Sequence, residues 1–377
     1  MTRHNAVNER IKHEYFAYLV QARGRDDATI DGVAKSLARF EQSTRGKDFK
    51  RFHREQAVAF KASLAAAVNA RTGERLSKAT LHSTLRDLRA FFFWLAHLPG
   101  FKSHIAYADA DYFNLSDKDV AIARARREKK VPTLEQVHHT LATMPAETVV
   151  ERRDRALFAF AAMTGARVGA LASFRLEHVN LVEGFVEQDA RTVRTKFAKT
   201  FRTYFMPIGT GKTGLDPVAV VSDWIEELRA VHLWGPADPL FPSTAMGLDP
   251  VGGFMAAGIA RHGWATTAPI AAIFKRAFTA AGLPYYNPHS FRDMLVRHAM
   301  SLGLSIEAMK AWSQNLGHTD LLTTFTSYGS VPVHKQGELV RTASNRPEAG
   351  VNRDQIGALE ALLADLKAGP RSEAATR

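Results

Sequence analysis

Cysteine is absent from all 377 residues. Disulfides, thiolate zinc sites and cysteine nucleophiles are therefore excluded, and with them a disulfide-stapled secreted fold. No stretch approaches the roughly 18 consecutive apolar residues of a membrane-spanning helix, so no membrane partner is expected. The opening segment MTRHNAVNERIKHEYF has no apolar core. No signal peptide is expected there, and the expected location is cytoplasmic. Histidines lack carboxylates at ligand spacing: His138, His139 and His298 read as surface or partly buried side chains, and no metal is expected.

An acidic excess is lacking as well. The chain has 50 Lys and Arg against 38 Asp and Glu, a net charge of +12. A charge of that size points to a polyanionic partner, of which nucleic acid is the commonest. Residues 1–130 hold 25 Lys and Arg against 15 Asp and Glu, leaving a net of +2 for residues 131–377. Counterion release rewards clustered cations, so the N-terminal part is the expected phosphate-gripping surface.

The pattern predicts a mainly α chain with a small β-sheet, an α+β fold. Helical spacing runs over 8–22, 29–40, 55–68 and 77–98, which predicts a small N-terminal bundle over 1–115. The clearest stripe is Leu81, Leu85, Leu88, Phe92 and Leu95, with Lys78, Arg86 and Arg89 beside it. Residues 116–132 read as a basic interdomain linker carrying Arg124, Arg126, Arg127, Lys129 and Lys130. It is either a solvated connector or a strap along a DNA backbone. A second domain is expected over 133–345. It has helical patterns at 134–144, 149–163, 218–231, 269–281, 290–301 and 305–314, and strand-like alternation over 185–208. Residues 235–263 read mostly as loop. A tail, 346–377, carries an amphipathic pattern at Ile356, Leu359, Leu363 and Leu366.

Gly209-Thr210-Gly211-Lys212-Thr213 resembles part of a phosphate-binding loop. The glycine required five positions before Gly-Lys-Thr is Met206 here, and Gly214, Asp216 and Pro217 delay the next helix. A turn after a strand is the better reading, and no nucleotide cofactor is expected.

Four further pieces stand in order: Thr164-Gly165-Ala166-Arg167; Lys196-Phe197-Ala198-Lys199; His289-Ser290-Phe291-Arg292; and Leu316-Gly317-His318, followed by Tyr328. Each alone is weak. Their order and spacing resemble the tyrosine recombinase (phage integrase) family. The resemblance covers about residues 130–335, with the N-terminal bundle similar to that family's core-binding domain and the second domain to its catalytic domain.

The resemblance implies a DNA recombinase or integrase, of the kind found in mobile elements, acting on double-stranded DNA as a homo-tetramer on paired sites near the nucleoid. Arg167 and Arg292 would clamp the non-bridging oxygens of the scissile phosphate. Tyr328 would attack phosphorus, with His289 as base and His318 as a further hydrogen-bonding group. Lys199 would protonate the leaving 5′ oxygen, with Lys196 its rival. The 3′-phosphotyrosyl link would conserve the energy of the broken bond, so neither ATP nor metal is needed. Lys78, Arg86, Arg89 and the linker cations would grip DNA.

The pattern departs from the family at four places, one of them a slightly long stretch between Arg292 and Gly317-His318 that holds Trp312-Ser313-Gln314-Asn315. Ala170 stands where a glutamate is common, Asp293 where a histidine is common, and the step from His318 to Tyr328 is one residue long. The alternatives are a non-cutting DNA-binding protein on the same fold and a type IB topoisomerase-like enzyme.

Overall fold

The computed structural model describes residues 5–70, 72–125, 129–248, 252–318, 336–337 and 341. The chain divides into two compact units, Met1–Arg127 and Glu128–Arg377. Among the described residues no helix is long and apolar enough to cross a membrane.

The first unit holds α1 (Ala6–Gln21), α2 (Asp27–Ser43), α3 (Arg54–Ala66), α4 (Lys78–Leu95) and α5 (Asp117–Arg124). Short polar side chains start these helices. Asn5 caps α1, Asp26 caps α2, and Ser77 caps α4 by accepting from the Thr80 N–H at 3.2 Å. The α4 stripe faces inward: Leu81, Leu85, Leu88, Phe92 and Leu95 are all buried. The core is rich in phenylalanine. Phe52 stacks on Phe92 at 3.9 Å between centroids, and Phe40 meets Phe60, Phe92 and Phe113 edge-on.

Residues 117–124 are helical rather than an extended strap. Ser116 caps α5, Asp117 and Asp119 sit in its first turn and Arg124 in its last, so its charges complement the helix dipole. None of its residues is buried, which is why no apolar stripe marks it. Arg126 and Arg127 lie outside the described residues.

The second unit holds α6 (Leu134–Thr143), α7 (Val149–Thr164), α8 (Val168–Leu171), β1 (Val179–Asn180), β2 (Phe185–Gln188), β3 (Phe201–Tyr204), α9 (Pro217–Ala230), β4 (Thr244–Leu248), β5 (Phe254–Ile259), α10 (Ala268–Ala280), α11 (Ser290–Ser301) and α12 (Ile306–Asn315). Its central element is α7, on which Ala156 through Met163 are fully buried. Phe158 packs against Phe274 of α10 and Phe291 of α11. That packing sets the C-terminal end of α7 beside α11. Strands β1, β2 and β3 form an antiparallel sheet in that order, with Phe185 opposite Tyr204 and Gln188 opposite Phe201.

The β4–β5 hairpin stands within the stretch 235–263, expected to be mostly loop. Its strands read TAMGL and FMAAGI, built of Gly, Ala and Met rather than β-branched residues, so they carry little strand signal. The amphipathic pattern at Ile356–Leu366 lies outside the described residues.

Candidate active site

Three segments, two helix ends and one helix start, converge on one guanidinium. The first is the end of α7. Thr164 donates its hydroxyl to Phe160 O at 2.7 Å and accepts the Ala166 N–H at 3.2 Å. Gly165 then turns left-handed at φ +56°, which ends the helix and aims its carbonyl outward. Arg167, half-buried, stands at the N-terminal boundary of the short helix α8.

The second is the end of α12. Gly317 is left-handed at φ +70°. Its N–H donates to Gln314 O at 2.7 Å, and the His318 N–H donates to Ser313 O at 3.1 Å. These paired bonds are a Schellman stop, and they explain why Gly precedes the histidine. A side chain at Gly317 would meet the Phe201 ring at 2.5 Å, so the turn lies directly on β3. Asn315 adds a second tie, accepting from Tyr204 N at 2.6 Å and donating to Tyr204 O at 2.9 Å.

The third is the first turn of α11. Arg292 is 2% exposed. Its Nη1 donates to Gly165 O at 2.7 Å, and its Nη2 donates to Leu316 O and to His318 Nε2, the latter at 3.0 Å. A guanidinium has no acceptor, so His318 Nε2 must be the unprotonated nitrogen and Nδ1 carries the proton. A single side chain thus joins the Thr-Gly-x-Arg, His-x-x-Arg and Leu-Gly-His pieces.

The remaining cations surround both histidines. Burial, then Arg292, Arg167 and Lys199, push His318 down to about 3. Desolvation, then Arg292, Lys129, Arg167 and Lys196, push His289 down to about 4. His289 keeps an exposed edge, so it stands at the mouth of the site rather than sealed within it. Its place at the N-terminus of α11 disfavours the imidazolium further. Both rings are neutral at pH 7.

The lysines come from the loop between β2 and β3. Phe197 and Ala198 are left-handed at φ +63° and +47°, and two such non-glycine residues cost about 1–3 kcal/mol each. Lys196 is exposed and lies 4.7 Å over the Phe197 ring, while Lys199 is half-buried. Both stand near the site, Lys196 toward His289 and Lys199 toward His318. Tyr328 lies outside the described residues.

The cations expected to grip DNA fall in different settings. Lys78 pairs with Asp119 at 2.7 Å, Arg86 with Asp87 at 3.0 Å and Arg89 with Asp111 at 2.8 Å. Exposed pairs of this kind are worth about 0–1 kcal/mol, so a phosphate can displace them. Arg124 and Lys130 are exposed. Lys129 instead pairs with the buried Asp293 of α11 at 3.4 Å. Asp293 was not singled out as a site residue; its place one helical turn after His289 was the available signal.

Ala170 is buried and apolar. The Gly209–Thr213 segment is a turn packed on α6: Gly209, Gly211 and Gly214 have positive φ, and a side chain at Gly211 would collide with the His138 ring.

No protein-family model matches the chain. Among curated proteins it is similar to tyrosine recombinase XerD from two Neisseria meningitidis strains, of serogroups A and B. Each is 27% identical over 202 residues, covering 52% of this chain and 58% of the relative. The match therefore spans little more than half the length of those relatives. Among solved structures, a lambda integrase dimer bound to a COC' core site superposes with a TM-score of 0.56 at 14% identity, covering 85% of this chain and 95% of that one. XerH bound to its palindromic difH substrate, in a post-cleavage complex, gives 0.55 at 16% identity over 86% and 82%. A lambda integrase tetramer bound to a Holliday junction gives 0.52 at 14% identity over 84% and 78%. The chain is thus similar in sequence to tyrosine recombinases named XerD and shares the fold of lambda integrase and XerH.

Proposed function

We propose that this chain is a site-specific DNA recombinase that cuts and rejoins double-stranded DNA through a 3′-phosphotyrosyl link on Tyr328. The observation that carries the reading is Arg292: buried, and bonded at once to Gly165 O, Leu316 O and His318. A buried cation anchored this way is organised before the substrate arrives, which is the main requirement for stabilising charge that develops on a phosphate.

Arg167 and Arg292 hold the two non-bridging oxygens. The Tyr328 oxygen attacks phosphorus, a new P–O bond forms, and the bond to the 5′ oxygen breaks. Lys199 gives that oxygen its proton, with Lys196 the rival donor. His289 accepts the phenol proton. Near pH 7 its ring is neutral, as a base must be, but burial and then the surrounding cations leave it weak. An incoming phosphate offsets those cations and raises its basicity. His318 donates a hydrogen bond to the phosphate. Rejoining reverses the steps with a 5′ hydroxyl as nucleophile, so no ATP is consumed.

The domain plan that goes with this reading is a DNA-gripping bundle over 1–115, a linker over 116–132, a catalytic domain over 133–345 and a tail over 346–377. The working assembly is a homo-tetramer on two paired sites. Support for it comes from the likeness to a lambda integrase tetramer on a Holliday junction. The place of action is the nucleoid.

The test uses a pool of nicked duplexes made from the DNA flanking the gene. The wild-type chain should form a covalent DNA adduct that survives denaturing gels, and Tyr328→Phe should form none. Absence of adduct from the wild type on every duplex that it binds would refute the reading.

A further inference from the structure

The side chain opposite Asp293 points to one more group at the scissile phosphate. Asp293 follows Arg292 on α11 and is 4% exposed. It lies four residues after His289, so both project from one helix face. Its Oδ2 holds the Lys129 ammonium at 3.4 Å, and the Lys129 side chain keeps 54% of its surface open to solvent. A cation tied to Asp293 therefore stands over the turn that carries His289. Two further observations agree. Lys129 is among the cations that depress the His289 ring, after Arg292 and ahead of Arg167. Burial pushes the Asp293 carboxyl up, while Lys129, Arg297 and Arg292 pull it down. A carboxylate in that setting needs its cations, and it fixes where they sit.

We propose that Lys129 is a further catalytic cation that contacts a non-bridging oxygen of the scissile phosphate, and that Asp293 is the positioning residue that holds it. This rests on the recombinase reading above. Asp293 does not touch DNA. It holds Lys129 on the His289 face of α11 and keeps the excess positive charge behind Arg292 partly balanced until DNA arrives. Lys129 thus belongs to the chemistry rather than to a general backbone grip.

The test is single-turnover cleavage of a nicked duplex carrying one of three linkages at the scissile position. These are an ordinary phosphodiester, a neutral methylphosphonate and a 5′-bridging phosphorothiolate. Lys129→Ala should slow cleavage of the phosphodiester at least about tenfold, the scale of a lost charge-stabilising contact. On the methylphosphonate, which carries one negative charge fewer in both ground and transition state, there is less charge to stabilise and the defect should shrink to less than about threefold. Lys129→Arg should recover part of the rate. Asp293→Asn should show a smaller defect of the same kind, and the double variant should be no slower than Lys129→Ala alone. An equal defect on phosphodiester and methylphosphonate would mean a structural or DNA-gripping role. Full rescue by the phosphorothiolate, whose leaving group needs no acid, would mean that Lys129 is a proton donor instead. A wild-type rate for Lys129→Ala would also overturn the proposal. If Asp293→Asn does not fold, the two exposed Lys129 variants carry the test. Wild-type adduct formation through Tyr328, measured in parallel, separates failure of this inference from failure of the recombinase reading.

Discussion

Replacing Gly165 by alanine should damage the site from a position with no chemistry of its own. The backbone there is left-handed, at φ +56°. An L-residue in that region costs about 1–2 kcal/mol. The new methyl would lie 2.9 Å from Leu295 Cδ1, 3.0 Å from Leu316 Cδ2 and 3.3 Å from Arg292 Cγ. Overpacking of that sort costs about 1–3 kcal/mol. The sum is about 2–5 kcal/mol, and the Gly165 carbonyl that anchors Arg292 would move with it. Gly184→Ala is the matched control. Its φ is +68°, but the nearest atom to an added methyl is Phe205 Cδ2 at 3.9 Å. It should cost only the conformational part, about 1–2 kcal/mol, and leave DNA cleavage intact. Urea denaturation gives the stabilities, and the covalent-adduct assay gives the activity. A Gly165→Ala protein within about 0.5 kcal/mol of wild type that still forms adduct at the normal rate would refute the packing account.

Four other outcomes are expected. His289 and His318 titrate near 4 and 3 in the folded chain against 6.5 for an ordinary histidine. As pH falls below 6.5 the unfolded chain takes up protons that the folded chain refuses, so stability should fall through that window; the buried His178, also lowered, adds to the loss. A bound phosphate raises both site rings, so DNA binding near pH ~5.5 should draw in protons; identical calorimetric heats in buffers of different ionisation enthalpy would count against it. Asn315→Ala removes two hydrogen bonds to Tyr204 and should cost about 1–3 kcal/mol, with faster hydrogen exchange at the Tyr204 amide; unchanged protection there would rule out the clamp. Arg292→Lys replaces a fork with a point charge that cannot reach Gly165 O, Leu316 O and His318 together, so at least one buried acceptor loses its donor. It should melt earlier and form no adduct, and normal melting would show that the anchoring is dispensable.

What could be read in the sequence depended on the range of the interaction. The α4 stripe was legible because helical periodicity is local. The Gly-His and Thr-Gly-x-Arg pieces were legible because each is a helix stop that delivers a polar side chain, and stops leave glycine in fixed places. The Lys129–Asp293 pair was not legible as a pair: both residues stand in noticed segments, but 164 residues separate them and nothing local links the two. The β4–β5 hairpin was hidden by its Gly, Ala and Met composition, and α5 by its lack of a buried face. The meeting of three motifs at Arg292 is visible only in tertiary packing. The placement of Tyr328 lies outside the described residues.

The bond pair between Asn315 and Tyr204, together with the seat of Gly317 on Phe201, makes the lysine loop and His318 mechanically one piece. Substrate that drags the loop must also swing the imidazole, and a ring knocked out of register must tug the strand.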